Sequence, residues 1–172
     1  MEDNISEIRR ECRHLISGYA DYLGLSKAKI LDVGIAGDPR PGENFKWFGG
    51  NDNTYETLDV DPIWNPTFVG DLCAAPFPDN SFDLVIVSNV LEHIFDFEKA
   101  IQEAARISKK YVILDCPWMF PYHPEQDGSF DDYWRISKTA LTKVIKKYGL
   151  CPITSSQTKL ITSFLCQKES QS

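Results

Sequence analysis

The sequence predicts an α/β protein with three layers, in which helices cover both faces of a doubly wound, mostly parallel β-sheet. Short, almost continuously apolar segments alternate with segments whose apolar residues recur at helical spacing. Such continuous apolar strands indicate strands that are covered on both faces, as in a parallel sheet. Residues 152–167 alternate between apolar and polar side chains instead, which predicts an antiparallel closing strand at the end of the chain.

An amphipathic helix is predicted to open the chain, and strands follow it. Apolar residues recur at helical spacing from Ile5 to Leu23, and Gly24 is the predicted end of this helix. "KILDVGI" and "TYETLDV" predict the first two strands. The segments Ser81–Leu91 and Lys109–Pro117 each contain a further apolar strand.

Two more amphipathic helices are predicted in the second half of the chain. "DFEKAIQEAARIS" places four apolar residues on one helical face, and a second such face follows Ser137, a suitable N-cap residue. Strands and helices that alternate in this way are typical of an open sheet with helices on both sides.

Length, charge and cysteine usage limit the classes of function. A chain of 172 residues with 42% hydrophobic composition can bury one substantial core. Its net charge of −7 lacks the electrostatic footprint of a general nucleic-acid binder. No apolar stretch approaches the ~20 residues of a membrane span, and the first residues do not resemble a signal peptide. Five scattered cysteines without a CxxC motif are typical of reduced, cytoplasmic proteins.

The turn after the first strand is the first candidate ligand site. "LDVGIAGD" contains Asp32, Gly34 and Gly37, and glycines at this place let the backbone approach a ligand closely. In doubly wound sheets, ligands bind at the carboxyl ends of the strands. The turn departs from GxGxxG because Ala36 replaces the second glycine, so a tight bend without a ligand is the alternative interpretation.

Aspartates at the next two strand ends strengthen this hypothesis. Asp59 and Asp61 end the second strand, and Asp71 is expected at the tip of another short strand. A carboxylate after the second strand can accept hydrogen bonds from the two hydroxyls of a ribose. An exposed turn aspartate is the alternative for each residue alone, but three successive strand ends favour a nucleoside-binding site.

The ordered segments "ILDVGIAGD", "TLDVDP" and "VGDLCAAPFPDNSFDLVIVSNVLEH" resemble class I S-adenosylmethionine-dependent methyltransferases. The resemblance runs from about Lys29 to Leu150, and "PFPDNSFDLVIVSNVLEH" is its most specific part. It implies a Rossmann-like methyltransferase fold, S-adenosyl-L-methionine as the cofactor and methylation as the activity. It also implies one domain, residues 1–172, with an N-terminal helix (1–25), a cofactor-binding core (26–115), a substrate lid (116–136) and a closing helix and strands (137–172).

The resemblance also implies roles for the residues of the first two strand ends. Asp32 matches the acidic residue that helps to bind the methionine end of the cofactor. Gly34 and Gly37 match the turn positions that approach this end. Asp59 best matches the residue that holds the ribose, with Asp61 as its rival.

Further roles are implied beyond the third strand end. Asp71 matches the residue that meets the adenine amino group, Leu72 would flank the ring, and Asn89 would face the reaction centre. Some related methyltransferases bind a divalent ion through a glutamate three residues before a Glu-His pair like Glu92-His93. Asn89 stands at that position here, so no metal is predicted, and Glu92 and His93 are interpreted as structural or close to the substrate.

One segment departs from the family pattern. "PRPGENFKWFGGNDN" contains two prolines where the first crossover helix normally runs, so this helix is predicted to be short and to lie around "NFKWF". Because a short helix positions its N-terminus poorly for an anion, Arg40 is a hypothetical partner for the cofactor carboxylate.

The long segment after the fourth strand is the predicted substrate lid. "YHPEQDGSFDDYWRIS" resembles the "HP…DYWR" element of a methyltransferase subgroup associated with glycan metabolism, with extra residues in between. His123 is the candidate general base, because histidine exchanges protons near neutral pH; His93 is its competitor. Arg135 is expected to anchor the lid to Asp131, Asp132 or a carbonyl group. The lid residues proposed to contact the substrate are Trp118, Tyr122, Tyr133, Trp134 and Arg135.

The predicted function is methyl transfer to an oxygen or nitrogen atom of a small-molecule or glycan-like acceptor. The catalytic candidates are His123, Asn89 and His93. A non-catalytic S-adenosylmethionine-binding scaffold is the alternative. A nicotinamide-dependent oxidoreductase is a third possibility, disfavoured because the GxGxxG fingerprint fails.

Overall fold

A computed structural model describes residues 2–35, 44–50, 52–123 and 131–169. Within these ranges the strands form one seven-stranded sheet of order β3-β2-β1-β4-β5-β7-β6. The strands are β1 (Lys29–Val33), β2 (Thr54–Asp59), β3 (Phe68–Val69), β4 (Phe82–Ser88), β5 (Ser108–Pro117), β6 (Leu150–Gln157) and β7 (Ile161–Lys168). Strands β1 to β5 pair in parallel, whereas β7 runs antiparallel to both β5 and β6. The predicted fold class is confirmed.

Helices lie on both faces of the sheet, as the continuous apolar strands predict. They are α1 (Glu2–Leu23), α2 (Phe45–Phe48), α3 (Phe97–Ile107) and α4 (Lys138–Lys147). Single 3₁₀ turns lie at Pro62–Trp64, Leu72–Ala74 and Leu91–His93. None of the helices in the described ranges is both long and apolar enough to cross a bilayer.

Alternate residues of each central strand enter two different cores. Leu31 and Val33 of β1 pack in the cluster that includes residues of α3 and α4, such as Ile101. Ile30 packs in the other cluster, which contains Ile16 of α1 and Phe48 of α2. Side chains of a strand point to opposite faces in turn, so each face of β1 is covered by its own helices.

The helix boundaries follow local signals in the sequence. Gly24, with φ +50°, ends α1, and the hydroxyl of Ser137 accepts a 3.2 Å hydrogen bond from Ala140 N at the start of α4. In the described part of the first crossover, from residue 44 onward, the helix α2 has four residues and lies at the predicted "NFKWF" segment. Within Ser81–Leu91, the strand ends at Ser88, because Asn89 turns the chain with φ +53°.

Candidate cofactor and acceptor site

The turn after β1 requires a glycine at residue 34. Gly34 has φ +73°, and its N–H donates to Leu58 O of β2 at 2.9 Å. A Cβ on this residue would lie 2.2 Å from Cγ2 of Val90. Two carbon atoms that are not bonded to each other do not come this close, so a larger residue would require Val90 or the turn to move. The turn therefore combines a left-handed backbone with a close approach of the chain after β4. Gly37 and Arg40 lie outside the described residues.

Asp59 lies beside this turn, at the carboxyl end of β2. Its side chain is buried, and its Oδ2 accepts a 2.8 Å hydrogen bond from Ile35 N in the glycine turn. Its Oδ1 accepts from Asp61 N at 3.0 Å. A carboxylate offers about four lone pairs, so both oxygens retain the capacity to accept a further bond.

Asp61, the rival of Asp59, has a local structural task. Its Oδ1 accepts from Ile63 N at 2.9 Å and caps the 3₁₀ turn that begins at Pro62. The carboxylate of Asp61 thus closes a surface turn, whereas that of Asp59 joins β2 to the glycine turn. This geometry favours Asp59 as the ribose-binding candidate.

Asp32 uses its carboxylate within the protein. It is 3% exposed, and both of its oxygens accept from Asn44 Nδ2 at 3.2 Å. The hydroxyl of Tyr55 donates to Oδ2 as well. Asn44 immediately precedes α2, so Asp32 ties the end of β1 to the start of this short helix. The described contacts of Asp32 are therefore all with other residues of the protein, and they hold the end of β1 in position next to the candidate site.

Asp71 and Leu72 follow the tip of β3. The strand register places Asp59 opposite Val69, so Asp71 lies two residues beyond the neighbour of Asp59. Asp71 is exposed and accepts a 2.8 Å bond from Cys73 N. Leu72 is 2% exposed and belongs to the main core, so its side chain has little surface left for an adenine ring.

Buried polar atoms without partners mark the carboxyl ends of β4 and β5. Asn89 N donates to Asp115 O at 3.0 Å, and Asn89 Nδ2 donates to Cys12 Sγ of α1 at 3.1 Å. Among the described residues, nothing bonds to Oδ1 of Asn89, Oδ1 of Asp115 or Oγ1 of Thr162. Buried polar atoms are nearly always paired, so this end of the sheet has hydrogen-bonding capacity for water or a polar ligand.

Asp115 is wholly enclosed among these groups. Ser88 Oγ donates to its Oδ2 at 3.1 Å. Burial raises the pKa of Asp115 to about 6, against the hydrogen bonds from Ser163 and Ser88 that stabilise the charged form.

Glu92 and His93 form the 3₁₀ turn after β4. Glu92 is fully buried, and neither of its carboxylate oxygens has a hydrogen-bond partner in the described parts of the chain. Burial raises the pKa of Glu92 to about 8. His93 Nε2 lies 3.7 Å from Glu92 Oε1, which is too long for a hydrogen bond. Burial lowers the pKa of His93, which favours its neutral form.

His123 meets this pair from the lid. Its ring lies 5.3 Å from the ring of His93, centroid to centroid, at a steep interplanar angle. Its Nδ1 lies 3.1 Å from Pro121 O and 3.0 Å from Asp132 Oδ2. The structure thus brings together two predicted catalytic candidates, 30 residues apart in sequence, and a buried glutamate.

Arg135 holds the lid in place. Its guanidinium bonds to both oxygens of Asp132 at 2.5 and 2.6 Å and to the carbonyl oxygens of Phe120 and Pro121 at 2.8 and 2.7 Å. Although burial opposes it, the hydrogen bond from Arg135 lowers the pKa of Asp132. A bidentate pair of this kind fixes both position and orientation, so Arg135 anchors the segment that carries His123.

The lid aromatics are divided between solvent and a separate aromatic cluster. Tyr133 and Trp134 pack against Phe95, and Trp134 Nε1 donates to Ile94 O at 3.1 Å. Tyr122 is 67% exposed. Trp118 is half-buried, and its backbone N–H donates to Leu160 O at 2.7 Å. The rings of Tyr133 and Trp134 therefore contact the chain that leads into α3, and their backbone N–H groups donate to Glu92 O at 2.7 and 3.3 Å.

Some residues of this site escaped the sequence-based prediction. The helical spacing of α1 indicates only a core position for Cys12, yet its sulfur contacts Asn89. Asp115 and Thr162 lie inside apolar strands and carry no local motif. A polar residue within a continuous apolar strand was the one available signal, because burial of such a residue without a partner is costly.

Comparison with known families and structures agrees with this picture. Residues 51–114 match the family model described as "Methyltransferase domain". A demethylmenaquinone methyltransferase of Corynebacterium efficiens is 48% identical over 44 residues, which cover 26% of this chain and 19% of the relative. The chain thus spans about a fifth of the length of this curated relative.

Solved structures share the fold across nearly the whole chain. A proposed sarcosine dimethylglycine methyltransferase from Galdieria sulphuraria superposes with a TM-score of 0.72 at 14% identity, over 93% of this chain and 86% of that one. The 1,6-didemethyltoxoflavin-N1-methyltransferase of Burkholderia thailandensis, solved with bound 1,6-didemethyltoxoflavin and S-adenosylhomocysteine, superposes with a TM-score of 0.66 at 11% identity, over 98% of this chain and 87% of that one. At such low identity these likenesses establish the fold, and function rests on the site itself.

Proposed function

We propose that this chain is a class I methyltransferase, which methylates an oxygen or nitrogen atom of a small-molecule or glycan-like acceptor with S-adenosyl-L-methionine as the methyl donor. One observation carries the proposal: the buried carboxylate of Asp59 is bonded to the glycine turn at the ends of two adjacent parallel strands. This is where a doubly wound sheet binds a nucleotide-like ligand.

The described residues fit this cofactor. Asp59 can accept hydrogen bonds from the ribose hydroxyls, and Asp71, at the next strand tip, can accept from the adenine amino group. Gly34 allows close approach of the backbone, with Gly37 proposed to extend this turn. Asn89 has a buried side-chain oxygen without a hydrogen-bond partner among the described residues, and the next residue, Val90, lies against Gly34. When bound, S-adenosylmethionine supplies a methyl group activated by its sulfonium.

The acceptor is proposed to bind at the ends of β4 and β5, under the lid. Here Asn89 orients the acceptor, and His123 accepts its proton, with His93 as the alternative base. The side chains of both histidines are partly buried, and α1 covers this end of the sheet through Cys12. A closed site holds the nucleophile in line with the methyl group and so contributes several kcal/mol to the rate.

Calorimetric titration with S-adenosylhomocysteine tests the cofactor proposal. We expect saturable binding with one site per chain, and absence of binding at millimolar ligand refutes the proposal. Release of S-adenosylhomocysteine is then measured with hydroxylated metabolites and nucleotide sugars as acceptors. Binding without turnover on any acceptor supports the non-catalytic scaffold instead, whereas turnover that is lost in His123→Ala and kept in the surface variant His14→Ala supports the catalytic role of the lid.

A further inference from the structure

We propose that Glu92, His93 and His123 form a binding site for a first-row divalent transition-metal ion. Each residue brings one potential ligand atom to within 4.8 Å of those of the other two. Ligand atoms of a four-coordinate ion with bonds of about 2.0–2.2 Å lie about 3.3 Å apart, so binding requires a contraction of at most about 1.5 Å. The prediction that no metal binds was based on Asn89, which stands where related methyltransferases have a ligand glutamate. It did not consider His123 of the lid as a ligand.

The buried carboxylate of Glu92 is the independent observation that points to a cation. Its side chain is 0% exposed, and neither oxygen accepts a hydrogen bond from any described residue. A buried carboxylate without partners is costly, and a cation between it and the histidines removes that cost. Water or a proton would satisfy one oxygen, whereas an ion uses the carboxylate together with both imidazoles.

Both histidines are held as metal ligands usually are. His93 Nδ1 lies 2.7 Å from Asp131 O, so its N–H donates there and the lone pair is on Nε2, which faces Glu92. Ligand histidines generally donate their other N–H to a carbonyl or carboxylate, which fixes the ring and raises its basicity.

His123 follows the same rule. Its Nδ1 has two acceptors within 3.1 Å, Pro121 O and Asp132 Oδ2, and a nitrogen between two acceptors carries the hydrogen. Arg135 Nη2 lies 3.3 Å from the same nitrogen, but it is a donor and cannot bond to an N–H. The lone pair of His123 is therefore on Nε2.

The donor set selects the class of ion. Two imidazoles and one carboxylate suit Zn²⁺, Co²⁺, Fe²⁺ or Mn²⁺, whereas Mg²⁺ and Ca²⁺ prefer sites made of oxygen ligands. Three protein ligands leave at least one coordination position open, as in catalytic zinc sites. In the enzyme proposed above, this position would bind an oxygen of the acceptor and lower its pKa. The histidines would then be ligands in the metal-bound protein, and the role of base proposed above applies to the protein without metal. These roles rest on the proposed function; the ion site does not.

Titration of the chelator-treated full chain with Co²⁺ and Zn²⁺ tests the site. We expect one ion per chain by calorimetry, and visible Co²⁺ absorption bands of a four- or five-coordinate ion. Glu92→Gln, which keeps the shape of the side chain, and His123→Ala should each weaken binding at least about tenfold and abolish the bands. His14→Ala, which removes the one other histidine, and Cys151→Ser, which removes an exposed thiol, should leave affinity unchanged.

Each outcome decides the inference. Absence of Co²⁺ bands in the wild-type chain overturns it, as does equal affinity in Glu92→Gln, or a loss of affinity in either control variant. If His123→Ala does not fold, judged by circular dichroism, Glu92→Gln and the wild-type spectrum decide. Binding of S-adenosylhomocysteine is measured separately, in the presence of chelator. Absence of this binding refutes the proposed function and does not affect the metal inference. Absence of Co²⁺ binding refutes the metal inference and does not affect the proposed function.

Discussion

Replacement of Asp59 by asparagine is the sharpest test of the cofactor site. The Asp59→Asn variant keeps the size of the side chain but loses its charge and one acceptor oxygen. In the wild type, Asp59 accepts from two backbone N–H groups, of Ile35 and Asp61, and the proposed ribose hydroxyls are its two further donors. The asparagine side chain has one oxygen that can accept from these donors, whereas its NH₂ group is itself a donor and cannot bond to the N–H or hydroxyl that the second carboxylate oxygen accepted from.

The expected loss follows from these contacts. A hydrogen bond to a charged group contributes about 1.5–3 kcal/mol and one between neutral groups about 0.5–1.5 kcal/mol. One ribose bond lost and the other weakened therefore cost about 2–4 kcal/mol, which raises the Kd for S-adenosylhomocysteine roughly 30- to 1,000-fold. Calorimetry at fixed pH and salt measures this ratio, with circular dichroism to show that both proteins are folded.

Asp61→Asn is the matched control. The side chain of Asp61 caps a 3₁₀ turn through Ile63 N, a task that asparagine performs equally well. We expect its Kd to stay within about threefold of the wild-type value. A folded Asp59→Asn variant with wild-type affinity, or a greater loss in Asp61→Asn, would refute the assignment of the ribose to Asp59.

Two further predictions concern stability, measured as the free energy of unfolding in urea. Gly34→Ala should lose about 2–5 kcal/mol, because the new Cβ would lie 2.2 Å from Val90 on a residue with a left-handed φ. Gly18→Ala, with open space around residue 18 in α1, should gain up to about 1 kcal/mol. Equal effects of the two substitutions would contradict this reasoning. Asp115, whose pKa is raised from 3.8 to about 6, binds its proton more tightly when folded, so its contribution is present at low pH and is lost as pH rises through about 6. Asp115→Asn should therefore be more stable than the wild type at pH 7.5 by about 1–3 kcal/mol and by less at pH 4.5, and a difference independent of pH would exclude this cause.

Much of the fold could be predicted because its signals are local. The apolar run of β4 and the helical spacing of α3 each lie within about a dozen residues. Ser137 at the start of α4 acts through its own helix. The two prolines and three glycines after β1 likewise predicted a short crossover helix around "NFKWF", and α2, within the described residues, is four residues long.

The candidate site was predicted less completely, because several of its contacts join distant parts of the chain. A strand-end position indicated both Asp59 and Asp61, and only the bond from Ile35 N to Asp59 separated them. Leu72, predicted to flank the adenine ring, is packed in the main core. The exposed position of its neighbour Asp71 is easier to predict, because aspartate in a turn commonly bonds to the backbone two residues further on, as Asp71 does with Cys73 N.

The sequence by itself determined the α/β architecture, the glycine turn and the presence of aspartates at successive strand ends. Periodicity and turn chemistry are properties of neighbouring residues, so they can be read along the chain. Only the tertiary structure decided that Glu92 is buried beside His93 and that the lid, anchored by Arg135, brings His123 to both. Such a meeting depends on how strands, turns and lid pack together, and packing is a property of the whole fold.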